Sequence, residues 1–246
     1  MRDLAVVTGT SGAIGKSIAE RFFQAGYLVC GIDWVEVDDG NIDLFIKEDL
    51  QNFVSNSQAQ EALLSKIRDW AGDDTLDALI NNAAYQFVSQ CHPIPVNELV
   101  KSYNINAIAP YLLTTNLACQ MTQGTGSVVN IGSIHSRLTK PGFLAYAATK
   151  AALATITRGL ALDYADRIRV NCIEPASIQT PMLLDGFKDS PEKLRTLQAF
   201  HPQQRIGTPA EVAELAFQIS SGKLRFLHGS CIDMSGGIAC RLHDPA

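Results

Sequence analysis

Tyr146 and Lys150 stand four residues apart in an alanine-rich stretch that runs from Ala145 to about Ala165. On a helix this spacing puts a phenol and an ammonium on one face, one turn apart. A free tyrosine titrates near pH ~10 and is a poor base at neutral pH. A fixed cation beside it favours the phenolate, so the pair suits proton exchange with an alcohol or a carbonyl oxygen. Taken alone, the same spacing equally marks a helix face that meets water. Ser133 adds a hydroxyl donor 13 positions before Tyr146, just after the apolar run Ser127 to Ile131. A second group with chemical potential lies far upstream, in Thr8-Gly9-Thr10-Ser11-Gly12-Ala13-Ile14-Gly15.

Elements must bring these distant groups together. Leu4 to Val7 is a short apolar run rich in β-branched residues, as a strand buried on both faces should be. From Ile14 the period changes, and Ile14, Ile18, Ala19, Phe22 and Phe23 share a helical face. A strand that feeds a glycine-rich turn opening a helix is an anion site: bare backbone N–H groups and the helix N-terminus both face the anion. Glycines also make ordinary tight turns, but here strand and helix supply the context of a dinucleotide motif. Tyr27 to Ile32 reads as a second buried strand ending at Asp33, 18 residues after Gly15. An acid there is placed to accept hydrogen bonds from an adenosine ribose and to repel a 2′-phosphate. Residues 8 to 15 contain no Arg or Lys, and Trp34 follows Asp33. The expectation is NAD rather than NADP, the alternative being a solvated carboxylate at a strand end.

Further strands are expected over Asn41 to Ile46, Leu76 to Ile80, Ser127 to Ile131, Arg169 to Ile173 and Ser230 to Asp233. Helices are expected over Glu61 to Trp70, Glu98 to Met121, Ala145 to about Ala165 and Pro209 to Ile219. Strands alternating with helices predict an α/β fold: one Rossmann-type, doubly wound parallel sheet of about seven strands, in a single domain over 1–246. Residues 181 to 208 mix apolar, charged and Pro/Gly residues, and are expected to form a flap over a ligand. In such a sheet the ligand lies at the strand C-terminal ends, which is where the glycine turn, Asp33, Asn81 to Ala84 and Ser133 all fall.

With 46% hydrophobic and 18% charged residues the chain reads as an ordinary globular protein. A net charge of −5 argues against nucleic-acid binding. No apolar run reaches membrane-spanning length, and the first strand starts too early to follow a signal peptide, so the expected setting is cytoplasmic. The six cysteines (30, 91, 119, 172, 231, 240) form no C-x-x-C pair and most sit among apolar residues. They read as reduced core thiols, and no metal site is expected.

These residues resemble the short-chain dehydrogenase/reductase family from Leu4 to about Gly237. TGTSGAIG is similar to the family's T-G-x-x-x-G-I-G, with Ala13 for the second glycine. Its spacing also fits the longer branch that acts on nucleotide sugars. Asn81-Asn82-Ala83-Ala84 resembles the short branch's N-N-A-G; Asn106 and Asn130 to Ser133 match its helix asparagine and serine strand. RVNCIEPASIQTPM, residues 169 to 182, resembles its stretch beside the nicotinamide, with Ala176 for glycine. The resemblance implies Tyr146 as general acid/base, Lys150 holding the nicotinamide ribose and depressing the tyrosine pKa, and Ser133 bonding the substrate oxygen. It implies Asn106 as anchor of a water chain from Lys150. Gly9, Ser11, Ile14 and Gly15 would line the pyrophosphate, and Asp33 would hold the adenosine ribose. Asp49 and Leu50 would take the adenine, and Asn82, Ile178 and Thr180 would face the nicotinamide side. It further implies a homodimer or homotetramer. The three alanines at 13, 84 and 176 are expected where the backbone never needs positive φ.

The leading expectation is an NAD-dependent oxidoreductase that interconverts a small secondary alcohol and a ketone. The alternatives are a catalytically silent NAD-binding sensor and an NADPH-linked reductase of a 3-oxoacyl-type ketone. His135 and Arg137 read as loop residues that could contact substrate, with a plain loop and solvated role favoured. Glu174 could touch substrate or point to solvent, and Tyr85, Gln86 and His92 could line a pocket rim.

Overall fold

The structure, a computed structural model, describes residues 3–36, 40–89 and 93–241. The expected Cys91 and His92 positions lie outside the described residues. Seven strands, β1 (Leu4–Thr8), β2 (Leu28–Asp33), β3 (Leu44–Lys47), β4 (Leu76–Asn81), β5 (Ser127–Ile131), β6 (Arg169–Pro175) and β7 (Cys231–Met234), form one sheet in the order β3-β2-β1-β4-β5-β6-β7. Every neighbouring pair is parallel. The winding direction reverses between β1 and β4, which opens a crevice at their C-terminal ends.

Period-two alternation divides each strand between two cores. Leu4 and Val6 of β1 join one apolar cluster, while Ala5 and Val7 join the other. The first cluster packs under α2 (Leu50–Ser55), α3 (Ser57–Ala71), α5 (Ala109–Leu117) and α6 (Leu144–Tyr164), through Phe53, Leu63, Ile67, Leu113 and Leu160. The second packs under α1 (Ala13–Gln24) and α9 (Pro209–Ser220), through Ile18, Phe22, Val212 and Ala216. Phe22 is fully buried and meets Tyr27 and Phe217 edge-on. Its burial stabilises the fold by about 2–3 kcal/mol.

Two expected elements differ in instructive ways. The third strand was expected over Asn41 to Ile46 but occupies Leu44–Lys47. The Asp43 carboxylate accepts from the Val29 amide at 2.8 Å, so a side chain takes a bond the ladder would otherwise use. The long helix expected over Glu98 to Met121 is α4 (Val96–Tyr103), a π-helical turn at Asn104–Ile108, and α5. A short 3₁₀ turn, Ala118–Gln120, then leads to Met121, which bridges to Leu76.

Residues 181 to 208 hold α7 (Pro181–Asp185) and α8 (Pro191–Phe200), neither of which buries a residue. Met182, expected to cover something, is 76% exposed. The base of this segment is pinned where Ile178 bridges to Gly207, with Gly207 N–H donating to Ser177 O at 2.9 Å. Among the described residues no helix is long and apolar enough to cross a membrane.

Candidate active site

The glycine turn is shaped by close backbone approach. Gly9 has φ +76°, and its N–H donates to Ile32 O at 2.7 Å, tying the turn to β2. A Cβ at Gly15 would lie 2.0 Å from Gly9 O, and one at Gly9 would lie 2.8 Å from the Ala83 Cα. Neither position admits a side chain. Gly12 N-caps α1 with no side-chain acceptor, so the first-turn amides are left to another partner. That cradle, with no acidic residue in the first turn, fits a bound pyrophosphate. Asn82 secures it from β4: its side-chain amide donates to Thr8 O at 2.9 Å and Gly9 O at 3.2 Å. The amide expected to face the nicotinamide side is thus engaged with the turn.

Asp33 is buried at the end of β2, where its carboxylate accepts from Ser11 N–H at 2.9 Å and Val35 N–H at 3.2 Å. Ser11 therefore links the turn to the acid. Ile14 packs against the second core beside Gly15 in α1. Asp49 caps α2 by accepting from Gln51 N–H at 2.9 Å, and Leu50 is buried, so both serve the start of that helix. Among the described residues, Ala165 and Gln204 are the non-glycine residues with positive φ. Ala13, Ala84 and Ala176 sit on ordinary backbone, as expected.

Strand β5 delivers Ser133. Gly132 N–H donates to Ile173 O at 2.7 Å, and Ser133 then caps a 3₁₀ turn, Ile134–Ser136, its Oγ accepting from His135 N–H at 3.1 Å. The Ser133 hydroxyl also acts on the Tyr146 hydroxyl, opposing the rise in its pKa. Lys150 lies one turn further along α6 and is buried, its Nζ 5.6 Å from the Tyr146 ring centroid. That Nζ donates to Ile131 O at 2.7 Å. Three groups from two elements therefore converge at the end of β5.

Their ionisation departs from one expectation. Burial pushes the Tyr146 phenol up to about 12, and the Ser133 hydroxyl, not the Lys150 charge, opposes the rise. Burial pulls Lys150 down to about 8. The ammonium is turned to a carbonyl and loses solvation itself, so in the protein alone it does not depress the tyrosine.

Asn106 sits in the π turn between α4 and α5. Its Oδ1 accepts from Tyr85 N–H at 2.7 Å; its Nδ2 donates to Tyr85 O at 2.8 Å and Thr149 Oγ1 at 2.9 Å. Thr149 Oγ1 in turn donates to Tyr146 O at 2.8 Å. A buried chain of polar groups thus joins the loop after β4 to the first turns of α6. The π turn and Thr149 escaped sequence reading, because a π turn leaves the apolar period nearly unchanged. A second buried ladder, Asn81 to Asn130 at 2.8 Å and Asn130 to Thr157 at 2.9 Å, ties β4 and β5 to α6.

Around this centre, His135 stacks on Phe143 at 4.8 Å and meets Tyr146 edge-on at 5.7 Å. The plain loop role favoured for it gives way to a place in the wall of the site. Burial, then the Lys140 charge, lowers its pKa. Glu174 neither meets solvent nor lies open to a ligand. It is 1% exposed and accepts from Ser136 Oγ at 2.5 Å and Arg137 Nε at 3.0 Å. Arg137 also reaches Asp233 at 2.8 Å, so it is ion-paired rather than merely solvated. Tyr85 donates its hydroxyl to Glu98 at 2.7 Å, and Gln86 is exposed in the same loop. Thr180 caps α7, and Ile178 is buried in the second core.

A doubly wound sheet with a glycine cradle at its switch point and Ser133, Tyr146 and Lys150 at the end of β5 fits a nucleotide-binding oxidoreductase architecture. Comparison with known proteins carries this further. Residues 9–239 match a family model described as Enoyl-(Acyl carrier protein) reductase. The chain is 31% identical to protein FixR of Bradyrhizobium diazoefficiens, over 94% of this chain and 85% of that one. It is 30% identical to 2-(R)-hydroxypropyl-CoM dehydrogenase of Xanthobacter autotrophicus, over 96% of this chain and 98% of that one. The solved aldohexose dehydrogenase of Thermoplasma acidophilum superposes with a TM-score of 0.91 at 26% identity, covering 100% of this chain and 97% of that one. The chain belongs to the short-chain dehydrogenase/reductase family, whose members are oxidoreductases that use a nicotinamide cofactor.

Proposed function

We propose that this chain is an NAD-dependent oxidoreductase that interconverts a small secondary alcohol and a ketone. The observation that carries the reading is the meeting of Ser133, Tyr146 and Lys150 at the end of β5. Two of the similar proteins are named as dehydrogenases, which supports the direction of chemistry. Bound NAD would supply the hydride acceptor. Tyr146 takes the alcohol proton as hydride leaves the carbinol carbon, and returns it to the oxygen in the reverse direction. Ser133 donates to the substrate oxygen and steadies the charge that develops there. Lys150 would contact the nicotinamide ribose and hold a positive charge near the phenol. Asn106 braces this arrangement through Thr149. Gly9, Ser11, Ile14 and Gly15 would hold the pyrophosphate, Asp49 and Leu50 would border the adenine, and Asn82, Ile178 and Thr180 would border the nicotinamide end.

Asp33 carries the choice of NAD. Its carboxylate is fixed by two backbone N–H groups at the strand end, where a 2′-phosphate would meet a second negative charge. Calorimetry with NADH and NADPH tests this, and tighter binding of NADPH would overturn it. The reaction is tested by following reduced nicotinamide absorbance across a panel of alcohols and ketones. Tyr146→Phe is expected to lose at least about 100-fold in kcat, the scale of a lost general acid/base. Undiminished turnover by that variant would reject Tyr146 as the acid/base.

A further inference from the structure

Cys172 of β6 and Cys231 of β7 were read from the sequence as unrelated core thiols, yet the sheet places them directly opposite each other in register. We propose that they form a peroxide-reactive dithiol that closes to a disulfide beneath the catalytic helix. Adjacent strands run about 4.8 Å apart, within the Cα separation of about 4.4–6.8 Å that a disulfide spans. The two sulfurs and a Glu174 oxygen all lie within 4.8 Å of one another. The Cys172 thiol donates to Ile173 O at 3.6 Å and the Cys231 thiol to Ala154 O at 3.8 Å.

The two cysteines are unequal. Cys172 is fully buried and Cys231 is half-buried. The Arg158 guanidinium lies 3.6 Å from the Cys231 sulfur. The neighbouring Cys172 thiol, and then the Arg158 charge, hold the Cys231 thiol below its ordinary range, while the neighbouring Cys231 thiol and burial hold Cys172 above it. Cys231 is therefore the nucleophile and Cys172 the resolving thiol.

With hydrogen peroxide as oxidant the steps balance. The Cys231 thiolate attacks one peroxide oxygen, an S–O bond forms, the O–O bond breaks, and hydroxide leaves and takes up a proton as water. The Cys172 sulfur then attacks the sulfenic sulfur, the S–S bond forms, the S–O bond breaks, and water leaves with the Cys172 proton. Two thiols are oxidised and one peroxide is reduced to two waters.

The same donors could be read as a soft-metal site, but their charge state opposes it. Glu174 is already engaged by Ser136 and Arg137. Arg158 beside Cys231 and Lys150 near Cys172 place positive charge against both sulfurs. Cations favour a thiolate nucleophile and disfavour a dication. The pair also touches the site: a Cβ on Gly132, next to Ser133, would lie 2.6 Å from the Cys172 sulfur, and the Cys231 thiol donates to Ala154 O of α6 at 3.8 Å. Closing the bond withdraws both sulfurs from those contacts.

The test uses the full chain treated with one equivalent of hydrogen peroxide, blocked with N-ethylmaleimide, digested without reductant and examined by mass spectrometry. The expected product is a Cys172–Cys231 cross-linked peptide, lighter by two hydrogens than the sum of its parts and lost on adding dithiothreitol. Cys172→Ser should leave a sulfenic acid on Cys231 that dimedone traps, whereas Cys231→Ser should leave Cys172 unlabelled. The proposal is overturned if both thiols alkylate fully after peroxide while exposed Cys119 or Cys240 oxidises. It is equally overturned if the untreated protein retains one equivalent of zinc through dialysis and Cys231→Ser loses it. The wild-type cross-link needs no variant and no substrate, so this outcome is independent of the proposed activity.

Discussion

Tyr146 and Lys150 show how far a residue's chemistry depends on where its charge is satisfied. Their spacing predicted a cation that lowers the phenol. In the protein alone the ammonium turns to Ile131 O, burial lifts the phenol to about 12, and burial lowers the lysine to about 8. A lysine lowered from 10.5 to about 8 represents roughly 3 kcal/mol of charge held against its solvation. The sign of the resulting pH dependence is fixed. Between about 8 and 10.5 the unfolded chain binds this proton and the folded chain does not, so this group makes stability rise with pH across that window. Lys150→Met is therefore expected to melt a few degrees above the parent near pH ~7. The gap should narrow as pH passes from about 8 to about 10.5, and calorimetric Tm values over that range check it. A gap that stays constant across that range instead would mean that Lys150 keeps its charge at no cost.

At the scale of elements, two turns carry the site. The glycine turn is specific about which glycine matters. A Cβ at Gly15 would meet Gly9 O at 2.0 Å, whereas one at Gly12 meets the same oxygen at 3.5 Å. Gly15→Ala should cost about 1–3 kcal/mol of stability, as overpacking against fixed backbone does. Gly12→Ala should leave Tm within about 1 °C of the parent, since φ there is ordinary and the space exists. Thermal melts of the two variants decide it. The π turn at Asn104–Ile108 plays the corresponding role in the helical layer. It places Asn106 to bond both backbone groups of Tyr85 and the Thr149 hydroxyl. Asn106→Ala leaves those groups buried and unpaired, an expected loss of about 3 kcal/mol. Faster hydrogen exchange at the Tyr85 amide should accompany it, and an unchanged exchange rate would place the brace elsewhere.

At the scale of the whole molecule, several apolar side chains on one run of helix remain exposed, among them Val96, Val100, Ile108 and Tyr111, with Leu162 on α6. We propose that this surface is buried in a homodimer or homotetramer. Light scattering is expected to give a multiple of 26.6 kDa at micromolar concentration, and a monomeric mass would remove the expectation. The doubly wound sheet was readable in advance because buried parallel strands are continuous apolar runs and their glycine turn is local chemistry. Gly9, Gly15, Asp33, Ser133, Tyr146 and Lys150 were readable for the same reason: each has its type and spacing written within a few residues of its own element. Glu174 was not, since its partners Ser136 and Arg137 come from another strand's loop. The break in the helix at Asn104 was not, because one extra residue in a turn hardly alters an apolar period. The facing of Cys172 and Cys231 was not, because it depends on the register between β6 and β7, which are separated by two helices and the α9 crossover. Local patterning determined the elements and the reactive residues. The pairing of strands decided the rest, because partners that meet across a sheet leave no spacing along the chain.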